Sequence, residues 1–259
     1  HGRREEAERI AARVEREVRG PDAPAIRHPT IRLRPRRRAA SFVDLGASLL
    51  RLYPRRAVLG LTLMTAQAFC YNAIFFTYAL VLGRFYGIAS EDVGLYLLPF
   101  AASNFLGPLV LGPLFDTWGR RAMIATTYAL SGLLLGLTAA LFLAGLLTAA
   151  TQTLAWTLVF FFASAAASSA YLTVSECFPV EVRALAIAFF YAVGTGIGGV
   201  GAPWLFGVLI GTGEPSAIAS GYALGAVLML AAGGVAFKWG VAAERRPLES
   251  VARPLSAAD

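Results

Sequence analysis

Gln67 and Asn72 stand five residues apart in QAFCYNAIFFTYA, a segment with no Lys, Arg, Asp or Glu. Amides in apolar surroundings donate and accept hydrogen bonds without carrying charge. They suit a polyol or another neutral polar group, an ordered water, or a plain bond to a neighbouring helix, worth about 0.6 kcal/mol on average. Tyr71, Asn104, Tyr171, Tyr191 and Trp204 lie in similar surroundings and add hydroxyl, amide and stacking surfaces. Charge is confined to short segments, GPLFDTWGRR at 112–121 and SECFPVEVR at 175–183. In the first, Gly112 permits close helix approach and Gly119 a tight turn, while Asp116 can sit against a helix N-terminus or a neighbouring Arg. Asp116, Arg120, Arg121, Glu176 and Arg183 are chemically suited to one charge network. As an isolated surface pair, any two of them would contribute under about 1 kcal/mol.

Other chemistries lack their parts. An intramembrane serine protease needs His beside its Ser, an aspartyl type needs paired Asp, and a metalloenzyme needs His and acidic ligands. The apolar stretches contain no His, Asp or Glu, so no enzyme, metal site or cofactor is expected. Gly196 to Gly201 satisfies GxGxxG, but inside an apolar stretch with no strand before it. That context argues against dinucleotide binding. Close helix packing and bending explain these glycines, as they do Gly194 and the pairs Gly132–Gly136 and Gly221–Gly225.

The elements that hold these residues follow from composition. Of 259 residues 57% are apolar and 15% charged, against about 25% charged in soluble domains. Six apolar stretches, 57–82, 93–115, 122–147, 154–174, 184–210 and 217–237, are free of charged residues, and each reaches the roughly 20 residues a spanning helix needs. Fifteen of the 23 Lys and Arg fall in the first 56 residues. With alternating loops, 22 basic residues lie on one side and only Arg84 on the other, which predicts that both termini are cytoplasmic. Net charge of +7 is explained by membrane topology, without a nucleic-acid partner.

Three regions result: a basic head at 1–56, a six-helix bundle at 57–237 and a tail at 238–259. Within the head, 3–19 predicts an amphipathic helix, with Ala7, Ile10, Ala11, Val14 and Val18 at three- and four-residue spacing. Glu5–Arg9 and Glu15–Arg19 are supporting pairs. Residues 21–40 predict an extended Pro- and Arg-rich linker, in which Arg32, Arg34 and Arg36–Arg38 anchor topology or meet anionic headgroups. Pro99, Pro108 and Pro203 predict kinks. Cys70 and Cys177 are too few for a disulfide framework. The first residue is His1, so a processed or truncated N-terminus is expected.

The segment at 112–121 resembles the loop signature G-x-x-x-D-R-x-G-R-R of the major facilitator superfamily, with Thr117 in place of a basic residue. The segment at 175–183 resembles the S/P-E-x-F-P-x-x-x-R signature of its sugar-porter-like members. Gln67 and Asn72 resemble their Q-x-x-x-x-N pair, but Ala66 replaces a Gln, Tyr171 replaces a Trp, and ASAAASSAYL lacks their prolines. These departures weigh against assigning a sugar. The resemblance covers the whole chain and implies an all-α membrane fold, the C-terminal six-helix bundle of a major facilitator fold. It further implies alternating access about a midplane site for a small polar or organic metabolite, and an N-terminal six-helix half as partner. Gln67, Tyr71, Asn72, Asn104, Tyr171, Tyr191 and Trp204 would bind substrate. Gly112, Asp116, Gly119, Arg120, Arg121, Glu176 and Arg183 would form a cytoplasmic gating network. A coupling proton or cation would use an acid in the other half, and the protein would lie in the plasma (inner) membrane. The alternative is a non-transporting six-helix scaffold or receptor-like protein.

Overall fold

The computed structural model describes residues 4–19, 42–244 and 248–252. The expected linker at 21–40 and the end of the tail lie outside the described residues. Two compact units result, one of His1–Pro35 with Ser256–Asp259 and one of Arg36–Leu255. In the first, α1 (Arg4–Arg19) is the expected amphipathic helix, with Ile10 and Val14 exposed. An i,i+4 ion pair joins Arg13 to Glu17 at 3.0 Å, and the side chains of the expected Glu15–Arg19 pair lie outside the described residues. Arg9, expected to pair with the Glu5 side chain, instead donates Nε–H to the Glu5 backbone carbonyl at 3.3 Å.

The second unit is a helical bundle. Its elements are α2 (Phe42–Leu52), α3 (Pro54–Phe75), α4 (Tyr78–Tyr86), α5 (Val93–Thr117), α6 (Arg120–Leu143), α7 (Ala149–Cys177), α8 (Arg183–Gly194), a π-helical segment (Thr195–Val200), α9 (Gly201–Thr212), α10 (Pro215–Trp239) and α11 (Leu248–Val251). Among the described residues six rods are long and apolar enough to cross a membrane: α3, α5, α6, α7, α8 through α9, and α10. No strand occurs among the described residues. α6 packs along α10 and α5 along α7, with α3 against α7, α10 and the π-helical segment. Trp156, Tyr128, Tyr222, Phe160, Phe178, Phe190 and Phe206 fill the interior.

Two irregularities interrupt the spans. The first span ends at Phe75 rather than at 82. Thr77 N–H reaches back only three residues, to Ile74 O at 3.1 Å, and its hydroxyl bonds the Ala73 carbonyl. A hydroxyl that satisfies a carbonyl locally competes with the helical ladder, and the chain restarts as α4. The other irregularity is the segment TGIGGV, where the helix widens to π geometry. Here α3 comes very close: a Cβ on Gly194 would lie 2.7 Å from Met64 Cβ, and one on Gly198 would collide with the Thr65 carbonyl. α5, by contrast, runs unbroken through Pro99 and Pro108.

Close glycine contacts also lock other pairs. A Cβ on Gly132 would lie 2.9 Å from Ala226 O of α10, and one on Gly107 would overlap Phe161 O and Ser164 Oγ of α7. Gly107 was not singled out by its sequence context, whereas Gly112 was, and nothing lies within 4 Å of where its Cβ would be. Gly112 therefore makes no close approach within the bundle. The fourth span begins earlier than expected because Thr148 and Thr151 form a reciprocal capping box that satisfies N-terminal backbone donors.

Candidate functional site

The polar residues of α3 share a wall because Gln67 and Tyr71 are one turn apart. Tyr71 donates its hydroxyl to Asn104 Oδ1 of α5 at 2.7 Å, and its ring lies 4.6 Å from that of Phe160. This bond leaves the Asn104 amide N–H groups as donors toward the cavity. Asn72 donates Nδ2–H to Ala68 O at 2.6 Å, which leaves its Oδ1 as an acceptor. Across from them, Tyr171 of α7 and Tyr191 of α8 hold their rings 5.9 Å apart at 40°. Thr195, the first residue of the π-helical segment, completes the wall.

These side chains enclose a cavity of about 390 Å³ whose polar lining is uncharged: Gln67, Tyr71, Asn72, Asn104, Tyr171, Tyr191 and Thr195. Phe75 and Phe76, beside the helix break, supply its apolar end. An adjoining cavity of about 360 Å³ shares Gln67, Tyr71, Asn104 and Tyr171 and adds Ser164 and Ser168. A third, of about 290 Å³, shares Pro108 and Ser168 with the second and reaches Asp116 and Arg120. A groove carrying polar side chains on an apolar lining thus follows one wall of the bundle from the amides to the charged loop. Six of the seven expected side chains meet at the first cavity. Trp204, 71% exposed on α9, does not line it.

At the groove's far end Arg120 joins three elements. Its Nη2 lies 3.3 Å from Asp116 Oδ1, in the last turn of α5, and 3.0 Å from Glu176 Oε1, in the last turn of α7. The Arg120 and Glu176 side chains are only 16% and 10% exposed, against 58% for Asp116. Gly119 makes the turn at φ +101°, a conformation that favours glycine. Glu244 then sits over the α6 N-terminus, accepting from Arg120 N–H at 3.4 Å, where the helix dipole favours a carboxylate.

Arg121, an expected member, takes another position. Arg121 follows Arg120 by one residue, so it points about 100° away around the helix. It donates to the Phe237 carbonyl and lies 5.2 Å over that residue's ring, tying α6 to the end of α10. Arg183 is close enough for its charge to act on Glu176, yet its Nε makes no hydrogen bond. Residues missed by sequence reasoning include Glu244 and Arg56. Arg56 donates to Cys177 O at 2.6 Å and to Val251 O at 2.8 Å, pinning α11 to the end of α7. A lone charge in a tail, or one Arg among fifteen in the head, carries no distinguishing pattern.

Six membrane-length helices and a polar groove between them define an integral, multi-pass membrane protein. The profile of one family, sugar (and other) transporter, matches residues 1–254. The chain belongs to that family, which lies within the major facilitator superfamily and consists of transporters rather than enzymes. A comparison with curated proteins gave no match. Transmembrane transport is therefore its general function.

Proposed function

We propose that this chain forms the C-terminal half of an alternating-access transporter for a small, uncharged, polar metabolite. The uncharged cavity carries the reading: seven polar side chains surround a space of about 390 Å³ with no ionised group among them. That volume is at the low end of small-molecule sites, which run from about 300 to 1,000 Å³. Gln67, Asn72 and Asn104 supply both donors and acceptors, while Tyr71, Tyr171 and Tyr191 offer ring faces beside hydroxyls. Such a set matches a polyhydroxylated or amide-bearing substrate better than an ion.

An N-terminal six-helix half would close the cavity from the open side, and rocking of the halves would expose it to each face in turn. A coupling proton or cation would be handled by that half. The cluster of Asp116, Arg120, Glu176 and Glu244 would hold one conformation and loosen in the other. The basic excess of the head, the alternate loops and the tail supports cytoplasmic termini and a plasma-membrane location. In this arrangement 1–56 is the loop between halves, 57–237 the bundle and 238–259 the cytoplasmic tail.

Uptake of radiolabelled hexoses, pentoses and cyclitols by the complete transporter in proteoliposomes tests the proposal. Saturable uptake of at least one neutral compound, with a raised KM in Asn72→Ala at unchanged protein abundance, is expected. Uptake of none, with no binding by calorimetry, would favour the non-transporting scaffold instead.

A further inference from the structure

A second polar cluster lies where α7 and α10 begin and α4 ends. Gln152 and Trp156 stand four residues apart on one face of α7 and are 0% and 1% exposed. Tyr222 of α10 is 1% exposed, and its ring meets that of Trp156 edge-on at 6.4 Å. Tyr86, the last residue of α4, donates its hydroxyl to Gln152 Oε1 at 3.1 Å. Gln152 Nε2, Trp156 Nε1 and the Tyr222 hydroxyl have no hydrogen-bond partner among the described residues. Tyr222 is near enough to feel the Trp156 N–H without completing a bond to it. The rings of Phe142 and Phe206, 6.0 and 5.4 Å from that of Tyr222, close the surroundings with apolar surface.

We infer that Gln152, Trp156 and Tyr222 bind ordered water inside the bundle, at a seam joining α4, α7 and α10. The atoms select the ligand. Trp156 Nε1 and Gln152 Nε2 only donate, so the occupant accepts two hydrogen bonds, and Tyr222 can accept the one it returns. Buried waters typically make about three bonds to groups of this kind. An anion also accepts, but it would exchange its hydration for neutral donors in an aromatic box. The end of α4 is thus tied across the seam by the Tyr86–Gln152 bond and by water. The site lies at the start of α7, two or more turns before the Ser164, Ser168 and Tyr171 that line the transport cavities.

Radiolytic hydroxyl labelling of the whole chain in nanodiscs tests this, because radicals formed from a bound water mark the side chains beside it. Tyr128 is the control: it is 0% exposed, but its hydroxyl donates to Leu63 O at 2.9 Å. Tyr222 is expected to label several-fold faster than Tyr128 and to take up isotopically labelled water slowly. Labelling no faster than Tyr128 overturns the inference. Gln152→Leu should bring Tyr222 down toward the Tyr128 rate, and an unchanged rate removes Gln152 from the site and overturns the assignment. Should that variant fail to fold, the comparison within the native chain stands alone. Tyr222 labelling that rises when chloride is withdrawn would assign the site to an anion and overturn it as well.

Discussion

Glu176→Gln separates the two limbs of the Arg120 cluster. The Asp116 limb spans the turn between α5 and α6 and has one partner 58% exposed, and exposed pairs contribute about 0.2–1 kcal/mol. The Glu176 limb differs, because its two side chains are 16% and 10% exposed at 3.0 Å. At that distance and an effective dielectric near 20 the gross attraction is about 5 kcal/mol, and desolvation of the two ions offsets most of it. Gln keeps the shape and one acceptor while removing the charge, so we expect a net loss of about 1–2 kcal/mol. For a chain of this size that lowers the unfolding midpoint by about 2–8 °C. Thermal unfolding in detergent measures it, as a double-mutant cycle of Glu176→Gln with Arg120→Gln beside Asp116→Asn. The coupling of Glu176 to Arg120 should exceed that of Asp116 and should persist at high salt, since buried pairs are screened less. An Asp116→Asn loss equal to or larger than that of Glu176→Gln would refute the reasoning.

Three further outcomes are expected. Asn72→Ala removes an amide that presents Oδ1 to the cavity, worth about 1 kcal/mol; KM should rise about fivefold at unchanged abundance, read by uptake kinetics. Gly107→Val forces α5 away from the Phe161 carbonyl and should destabilise by about 1–3 kcal/mol, whereas Gly234→Ala, with nothing within 4 Å, should leave the melting curve unchanged or slightly raised. Arg56→Gln breaks two charge-assisted bonds, to Cys177 O and Val251 O, each worth about 1.5–3 kcal/mol; limited proteolysis should then cleave the segment around α11 faster than in the parent chain.

Residues whose role depends on type and spacing alone were legible in the sequence. The six spans needed only their uncharged length, and Gly119 needed only its place between helices. Asp116 and Arg120 could be set together because only a short turn separates them. What stayed hidden depended on rotation and on distant partners. Arg121 left the cluster because one residue of rotation carries it to Phe237. Trp204 stands off the cavity wall, on an exposed face of α9. Gly107 looked like any glycine until Ser164 and Phe161 were set against it. Glu244 and Arg56 act over 124 and 121 residues of chain, beyond the reach of any local pattern. The break at Phe76 and Thr77 sits in an unbroken apolar run, where hydropathy is blind to a hydroxyl that turns back on its own helix.

That break and the π-helical segment adjoin each other, since Asn72 lies 3.2 Å from where a Cβ on Gly199 would be. At both places amides leave the regular four-residue ladder, while the surrounding helices keep theirs. Opening there is local and does not require the bundle to unfold. In deuterated water, Thr77 and the glycines at 196, 198 and 199 should therefore exchange their amide hydrogens early, as an isolated patch of fast isotope uptake within slow membrane helices. The same patch borders Asn72, so a bound solute would reveal itself in the exchange clock of the backbone before any side chain was seen to move.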